Sequence, residues 1–325
     1  MHRLITEHAL RKVCEPSPLW QLTAPVRALA LVPGTWAAIP ALAEHRGPVT
    51  LEKTVTCGGT LRFVLGGASG QMTAWLDDRL LGDATPGQPL SALAEDVPFA
   101  SHCLRVTVQP GEAPGFLRPV TIEQLGSALM TSLQVTPRRK GRLWLAELTV
   151  RVRSLSDAPQ TFDLEATVGP AAARWKRRLL PPRAEVTLSA LAPAPGVASW
   201  SPDVPRLVPA ESVLWLEGEP ADDLRDRMGF CEKASRGDAF LLNGKPLALR
   251  PYRPERCAWT PEDMLAQVHS ALSEGASLLC PAGFADARLL DLCDQAGLLA
   301  LADAPGMHPC CVRPAEFPQG GAFHG

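Results

Sequence analysis

Residues 260–302 have the sequence TPEDMLAQVHSALSEGASLLCPAGFADARLLDLCDQAGLLALA. Thr260 is a favourable N-cap, Pro261 suits the first helical position and Gly275 ends the apolar periodicity, so a helix is predicted between them. A second helix is predicted over 285–296. Strands are predicted at three short apolar runs, 246–250, 276–280 and 298–302. Strands and helices that alternate with short links are typical of a parallel β/α sheet.

The residues before position 250 predict antiparallel strands instead. Their apolar or alternating runs are bounded by Gly-Gly, Asp-Asp and Pro-Gly pairs, which favour turns. The runs are 60–65, 72–76, 103–108, 143–152, 162–168 and 184–188. One set lies before about residue 129 and the other after it, so we predict two all-β sandwich domains.

Composition excludes several classes of protein. The chain has 325 residues and 46% of them are hydrophobic, which is enough for two or three folded domains and excludes a mainly disordered chain. The 32 Lys and Arg residues nearly balance the 34 Asp and Glu residues, giving a formal net charge of −2. We therefore expect no nucleic-acid partner, since a duplex binder carries a strongly basic face.

The chain is also expected to be cytoplasmic. It contains no apolar run of about 18 residues, and its first residues lead into no apolar core of a secretory leader, so no membrane association is expected. The nine cysteines are scattered and form no Cys-x-x-Cys pair, which favours free thiols in a reducing compartment. Cys310 and Cys311 lie near His308, but no second ligand cluster is present, and we expect neither a metal nor a cofactor.

Several segments follow one another in an order that matches a known family. They are Val32–Trp36, Arg62–Gly67, Ala74–Asp77, Leu81–Gly82, Gly115–Val120, Trp200–Pro205, Phe240–Arg250 and Asp291–Leu298. The first four resemble the sugar-binding jelly roll of glycoside hydrolase family 2, which contains β-galactosidases, β-glucuronidases and β-mannosidases. Gly115–Val120 resembles that family's crossover into an immunoglobulin-like domain. Trp200–Pro205 resembles the end of that domain, and the last two segments resemble the first part of its TIM barrel.

The resemblance implies a mainly β chain followed by an α/β part. The implied domains are a jelly-roll sugar-binding sandwich over 1–120, an immunoglobulin-like sandwich over 121–225, and the N-terminal part of a TIM barrel over 226–325. We expect about three strands of that incomplete barrel. Residues 309–325 contain many helix and strand breakers, and they are predicted to form a loose tail.

The family's chemistry needs two carboxylates about 5 Å apart, one as acid/base and one as nucleophile. In the family, the acid/base is the Glu of an Asn-Glu pair after the fourth barrel strand, and the nucleophile lies on the seventh. Asn243 is the only asparagine here, and Gly244 follows it. We therefore expect no catalytic residue in this chain and predict a non-catalytic carbohydrate-binding or remnant protein.

Four residues are predicted to contact substrate. Arg253 and Glu255 occupy the positions where the family usually has Asn and His after the first barrel strand. Asp303 follows the third predicted strand, where some members use a carboxylate. Trp259 could stack on a sugar face. Three further tryptophans, Trp20, Trp36 and Trp75, are candidates for the same role, although the strand positions of Trp36 and Trp75 favour the sandwich core.

Two other functions remain open at this stage. The chain could be the N-terminal part of an active split or longer glycosidase of β-galactosides or β-glucuronides, with a second chain or a longer reading frame completing the barrel. It could also be a structural module that uses an open sheet edge or a homo-oligomeric contact.

Overall fold

The computed structural model describes residues 8–36, 39–42, 45–109, 115–116, 118–256, 258, 260–282, 287–302 and 310–312. It divides the chain into two compact units. One consists of residues 11–126, and the other of residues 8–10 with the described residues from 127 onward. Both sandwiches and the α/β part are present, as the predicted fold class requires, whereas the three domain bounds stay predictions.

The first unit is antiparallel. Its strands are β1 (Lys12–Cys14), β2 (Leu19–Ala24), β3 (Ala28–Leu31), β4 (Gly34–Thr35), β5 (Val49–Leu65), β6 (Met72–Leu76), β7 (Arg79–Ala84), β8 (Leu90–Val108), β9 (Gly115–Phe116) and β10 (Val120–Leu125). A short 3₁₀ helix spans Pro40–Leu42. The large sheet has the order β1-β10-β5-β8-β6-β7, and β2 joins it through β5 while β3 pairs with β2. Strands β4 and β9 pair separately.

A buried ion triad fixes one end of this sheet. Glu123 in β10 accepts hydrogen bonds from Arg11 Nη1 and Arg62 Nη2, both at 2.6 Å, and is 6% exposed. Burial alone would raise the pKa of this carboxyl, but the charges and hydrogen bonds of Arg62 and Arg11 outweigh it and hold the pKa below its usual range. Three neighbouring segments are therefore joined by one buried carboxylate.

His102 in β8 is held by two acceptors. Its Nδ1 lies 2.7 Å from Asp77 Oδ2 and its Nε2 lies 2.9 Å from the Pro98 carbonyl, while the residue is 9% exposed. Because a carboxylate and a carbonyl can only accept, both ring nitrogens donate when the ring is protonated. The hydrogen bond to Asp77, and then that to Pro98, raise the pKa of His102 above its ordinary value.

We predict that this contact stabilises the protein at acidic and neutral pH and weakens at alkaline pH. A raised histidine pKa adds stability that is complete below the unfolded pKa of about 6.5 and is lost as pH rises through the folded pKa. The melting temperature of the protein should therefore exceed that of His102→Gln most at about pH 5.5, with the gap closing toward about pH 9. His269→Gln, at an exposed position, is the control. A gap that does not change with pH would contradict the assignment.

The second unit begins with a two-sheet sandwich. Its strands are β11 (Ala128–Lys140), β12 (Leu143–Ser154), β13 (Gln160–Val168), β14 (Ala171–Leu180), β15 (Glu185–Ala194), β16 (Val208–Leu216) and β17 (Glu219–Met228). The two sheets have the orders β11-β12-β15 and β14-β13-β16-β17. Alternate residues of these strands meet in a core that includes Trp144, Phe162 and Phe230.

A hairpin and a parallel sheet follow. The hairpin strands are β18 (Lys233–Arg236), β19 (Ala239–Leu242) and β20 (Lys245–Pro246). The α/β part contains β21 (Pro251–Tyr252), α1 (Pro261–Ser273), β22 (Leu278–Leu279), α2 (Ala287–Ala296), β23 (Leu299–Leu301) and β24 (Cys311–Val312). All four strands are parallel in the order β21-β22-β23-β24. That this sheet opens a β/α barrel stays a prediction.

Two predictions for this region were wrong. Residues 246–250 were expected to form the first parallel strand, but Pro246 pairs with Leu241 in the hairpin and the parallel strand is Pro251–Tyr252. The reason is the Asn243-Gly244 turn, whose φ values of 54° and 77° suit a tight hairpin. The predicted loose tail also contains a strand, since Cys311–Val312 pairs with β23.

The sandwich is joined to the parallel sheet around Trp200, which is fully buried. Its indole Nε1 donates to the backbone carbonyl of Asp294 in α2 at 2.8 Å. Gly297, just after α2, lies so close to Pro202 that an added Cβ would be 2.3 Å from its carbonyl oxygen. The Trp-Ser-Pro segment therefore packs directly against the end of α2.

We predict that Gly297→Ala destabilises the second unit by about 2–4 kcal/mol, because it combines a left-handed φ of +74° with a backbone overlap. Gly275→Ala is a matched control. It follows α1 with φ +71° and has nothing within 4 Å of an added Cβ, so it should cost only about 1 kcal/mol. Urea unfolding and hydrogen exchange of residues 287–302 would measure both. Equal losses would show that the contact with Pro202 is not tight.

Candidate functional site

The candidate site is the edge of the parallel sheet where its strands end. Because the four strands are parallel and adjacent in sequential order, the residues that follow them lie along one edge. Ligands of open α/β sheets bind at the carboxyl ends of strands. The described residues at this edge are 253–256 after β21, 280–282 after β22 and Ala302 after β23.

Arg253 and Glu255 lie at this edge and are exposed. Their position is compatible with the predicted contact to substrate, which stays a prediction. Trp259 and Asp303, the other two predicted contacts, lie outside the described residues. The structure therefore brings one cation and one carboxylate of the predicted set to the same loop.

Cys280 adds a thiol that the sequence analysis did not assign to the site. Its amide donates to the Tyr252 carbonyl at 2.8 Å, which extends the β21–β22 pairing by one residue. The Arg253 guanidinium lies close enough to the Cys280 thiol to act on its ionisation. Burial raises the pKa of this thiol above its ordinary value, and the charge and hydrogen bond of Arg253 offset part of that rise. One indication in the sequence pointed to Cys280 at the site, since this residue comes at the end of an apolar run.

We predict that Arg253→Gln raises the pKa of Cys280 further and slows its alkylation by iodoacetamide at about pH 8.5 by roughly two- to tenfold, because less thiolate is present. Arg253→Lys keeps the charge and should retain part of the rate. Peptide mass spectrometry would follow each cysteine separately. Cys103 in the first unit, also half-buried, serves as internal reference. A faster reaction of Cys280 in Arg253→Gln would contradict the contact.

Ser277 holds the residues that precede the first parallel strand. Ser277 Oγ accepts the amide of Arg250 at 2.8 Å and donates to the Ala248 carbonyl at 2.8 Å. Lys233 Nζ donates to the Cys311 carbonyl, which ties the preceding hairpin to β24. The Ser277 hydrogen bonds hold the residues before β21 to the segment before β22, and the loop that carries Arg253 follows β21.

One group of potential metal ligands was found among the described residues, and it lies elsewhere in the second unit. It consists of His8, Asp222 and Asp223. The Asp223 carboxylate accepts the backbone amides of residues 9–10 at 2.7 and 3.0 Å. Asp222 accepts the amide of Met130 at 2.6 Å, beside a bulge in β11. Both carboxylates thus accept hydrogen bonds from backbone amides.

The tryptophans proposed to stack on sugars have different environments. Trp20 and Trp36 are 1% and 0% exposed and lie in the core of the first unit, each 6.3 Å from the Phe116 ring. A stacking role for these two is wrong, and the core alternative given for Trp36 is confirmed. Trp75 is half-buried, with the Arg105 guanidinium 5.3 Å from its ring centre. That ring face already has a cationic partner.

In the part of the chain that the structure describes, no helix is long and apolar enough to cross a membrane.

Comparison with solved structures finds extensive similarity. A family 2 β-galacturonidase from Eisenbergiella tayi, solved with galacturonate bound, is 26% identical with a TM-score of 0.84. The Bacteroides uniformis β-glucuronidase is 17% identical with a TM-score of 0.80. A putative β-galactosidase from Bacteroides fragilis is 15% identical with a TM-score of 0.78. No family model and no curated protein matches the sequence.

These matches confirm the resemblance to glycoside hydrolase family 2. They cover 93%, 93% and 90% of this chain, in the same order. The chain in turn spans 59% of the Eisenbergiella enzyme, 46% of the Bacteroides uniformis enzyme and 53% of the Bacteroides fragilis protein. The glycosidase-like fold is therefore shown over most of the chain, and over about half of each of these proteins.

Proposed function

We propose that this chain binds an acidic, β-linked sugar at the carboxyl ends of its parallel strands and does not itself cleave the glycosidic bond. The observation that carries the proposal is the position of Arg253, an exposed guanidinium at the edge of a sheet shared with family 2 enzymes. Two of the similar structures are named for hydrolases of uronides, the β-galacturonidase and the β-glucuronidase.

The chemistry of Arg253 fits a sugar that carries a carboxylate. A guanidinium presents paired N–H donors that match a carboxylate in a planar, bidentate arrangement. Glu255 in the same loop can accept hydrogen bonds from sugar hydroxyls. Arg253 also lies close to the Cys280 thiol, and its positive charge lowers the pKa of that thiol. A uronide therefore fits this loop better than a neutral hexoside.

The absence of cleavage is inferred from the sequence. Retaining hydrolysis needs a carboxylic acid and a carboxylate about 5 Å apart. The 325 residues contain no Asn-Glu pair, which carries the acid/base in the family that this chain resembles. Binding without turnover is the function that the residues present support best.

Binding should weaken when the guanidinium is removed. Arg253→Gln is expected to reduce the affinity for galacturonate by roughly ten- to a hundredfold, because a hydrogen-bonded charge pair is lost. Arg256→Gln, an exposed arginine in the same loop, is the control and should bind as the unchanged protein does. Isothermal titration calorimetry with galacturonate and with galactose separates the carboxylate contribution.

Two results would contradict the proposal. If Arg253→Gln binds galacturonate as tightly as the unchanged chain, Arg253 does not contact the sugar. If the purified chain hydrolyses an aryl β-galacturonide or β-glucuronide well above the rate without protein, the chain is an enzyme by itself.

A second function is favoured by the outer surface of α1. Leu265 and Leu272, seven residues apart on one helix face, are 59% and 41% exposed, while buried residues of α1 pack in the core of the α/β part. A further β/α segment could cover these leucines and complete an active glycosidase. Hydrolysis that appears only with a second polypeptide, and is lost in Leu265→Glu/Leu272→Glu, would favour this function over binding alone.

A further inference from the structure

The edge strand β14 carries an unusual concentration of cations. Its sequence over residues 171–180 is AAARWKRRLL, and Arg174, Lys176, Arg177 and Arg178 are exposed. The first three are called here the basic strip, because Arg178 pairs with the buried Phe162 and therefore lies on the other face of the sheet. Among the described residues, β14 pairs only with β13. The strip therefore lies along a free edge of the sandwich in the second unit.

A β-bulge fixes the centre of the strip. Phe162 pairs with Arg178 and Leu164 pairs with Trp175, so Lys176 and Arg177 both lie opposite Asp163. Arg177 has a φ of +47°, a conformation that favours glycine. The Asp163 carboxylate accepts the Arg177 amide at 2.7 Å and so holds this conformation. Arginine therefore occupies a position whose backbone conformation favours glycine.

An aromatic ring lies on the same face of the sheet. Asp163 pairs in register with Trp215 of β16, and the neighbouring Phe162 and Leu164 are buried, so Asp163 and Trp215 belong to the outer face. Trp215 is half-buried and is not part of the sandwich core. Since adjacent strands are about 4.8 Å apart, the bulge and Trp215 are separated by roughly 10 Å.

The strip retains unneutralised positive charge. Arg174 forms an ion pair with Glu165 at 2.8 Å. In the described part of the chain, Lys176, Arg177 and Arg178 form no ion pair. Charged residues also protect edge strands from aggregation, but that role requires neither an arginine in a left-handed conformation nor a tryptophan beside it.

We propose that the basic strip and Trp215 form a binding surface for an acidic polysaccharide. The cations would contact successive carboxylates of an extended chain, and the indole would stack on the apolar face of one sugar ring. The choice of a polyuronide over a nucleic acid rests on the proposed function, since phosphates would offer similar charges. The surface would hold a polymer whose terminal sugar is bound at the parallel sheet.

Polygalacturonate binding to the purified full chain tests this surface, measured by biolayer interferometry at low and high salt. Lys176→Glu is expected to weaken binding several-fold at low salt. Lys140→Glu, at an exposed position at the end of β11, makes the same change in net charge and should have little effect. Trp215→Ala should also weaken binding.

Arg177→Gly separates a lost contact from a lost fold. Glycine relieves the left-handed φ, so this variant should unfold at an equal or higher temperature and still bind the polymer several-fold more weakly. Unchanged binding in Arg177→Gly and in Lys176→Glu would overturn the proposal. Equally tight binding of neutral dextran, or tighter binding of single-stranded DNA than of polygalacturonate, would overturn the assignment to an acidic polysaccharide.

Comparison with Arg253→Gln distinguishes the two proposals. Suppose that galacturonate binds and its affinity falls in Arg253→Gln, but the strip variants bind the polymer as tightly as the unchanged chain. Then only the proposal for the strip fails. If galacturonate does not bind while the strip variants bind the polymer more weakly, the proposed function fails and the proposal for the strip stands.

Discussion

The hydrogen bond from the Trp200 indole to the Asp294 carbonyl is the contact on which the α/β part depends. A buried indole N–H without a partner would cost free energy, and here the Asp294 carbonyl at the C-terminal end of α2 satisfies it. The Trp200 carbonyl in turn accepts from Asn243, and the Trp200 amide donates to Phe230. One residue thus sets the position of the hairpin and of α2.

The sequence was sufficient for elements that carry their own local information. Helix α1 begins where Thr260 and Pro261 predicted, and the capping box with Asp263 is formed. Two-residue strands contain no such information, because their pairing is decided by the backbone groups that neighbours leave free. For this reason Cys311–Val312 could be assigned only from the structure, where Asp294 accepts the amide of Cys310 and directs the chain toward β23.

The candidate site was partly predictable for a related reason. The resemblance placed Arg253 and Glu255 after the first barrel strand. Residues that follow a parallel strand lie at the carboxyl edge of its sheet, so the positions of both follow from the topology alone. The contact between Arg253 and Cys280 depends on register between two strands separated by a helix, which no local pattern encodes. For Trp20 and Trp36, alternation could not tell an inner from an outer face, since a one-residue shift exchanges the two.

The net charge of a chain does not describe its local surfaces, because charge acts locally. Screening limits the reach of an exposed charge to about 8–10 Å at physiological salt, so distant acidic residues do not cancel a cluster of cations. The chain as a whole is nearly neutral, with a formal charge of −2, yet residues 174–178 contain four cations and one tryptophan. An anionic ligand at β14 would meet that local field and not the average. A nearly neutral chain can therefore still present a basic surface.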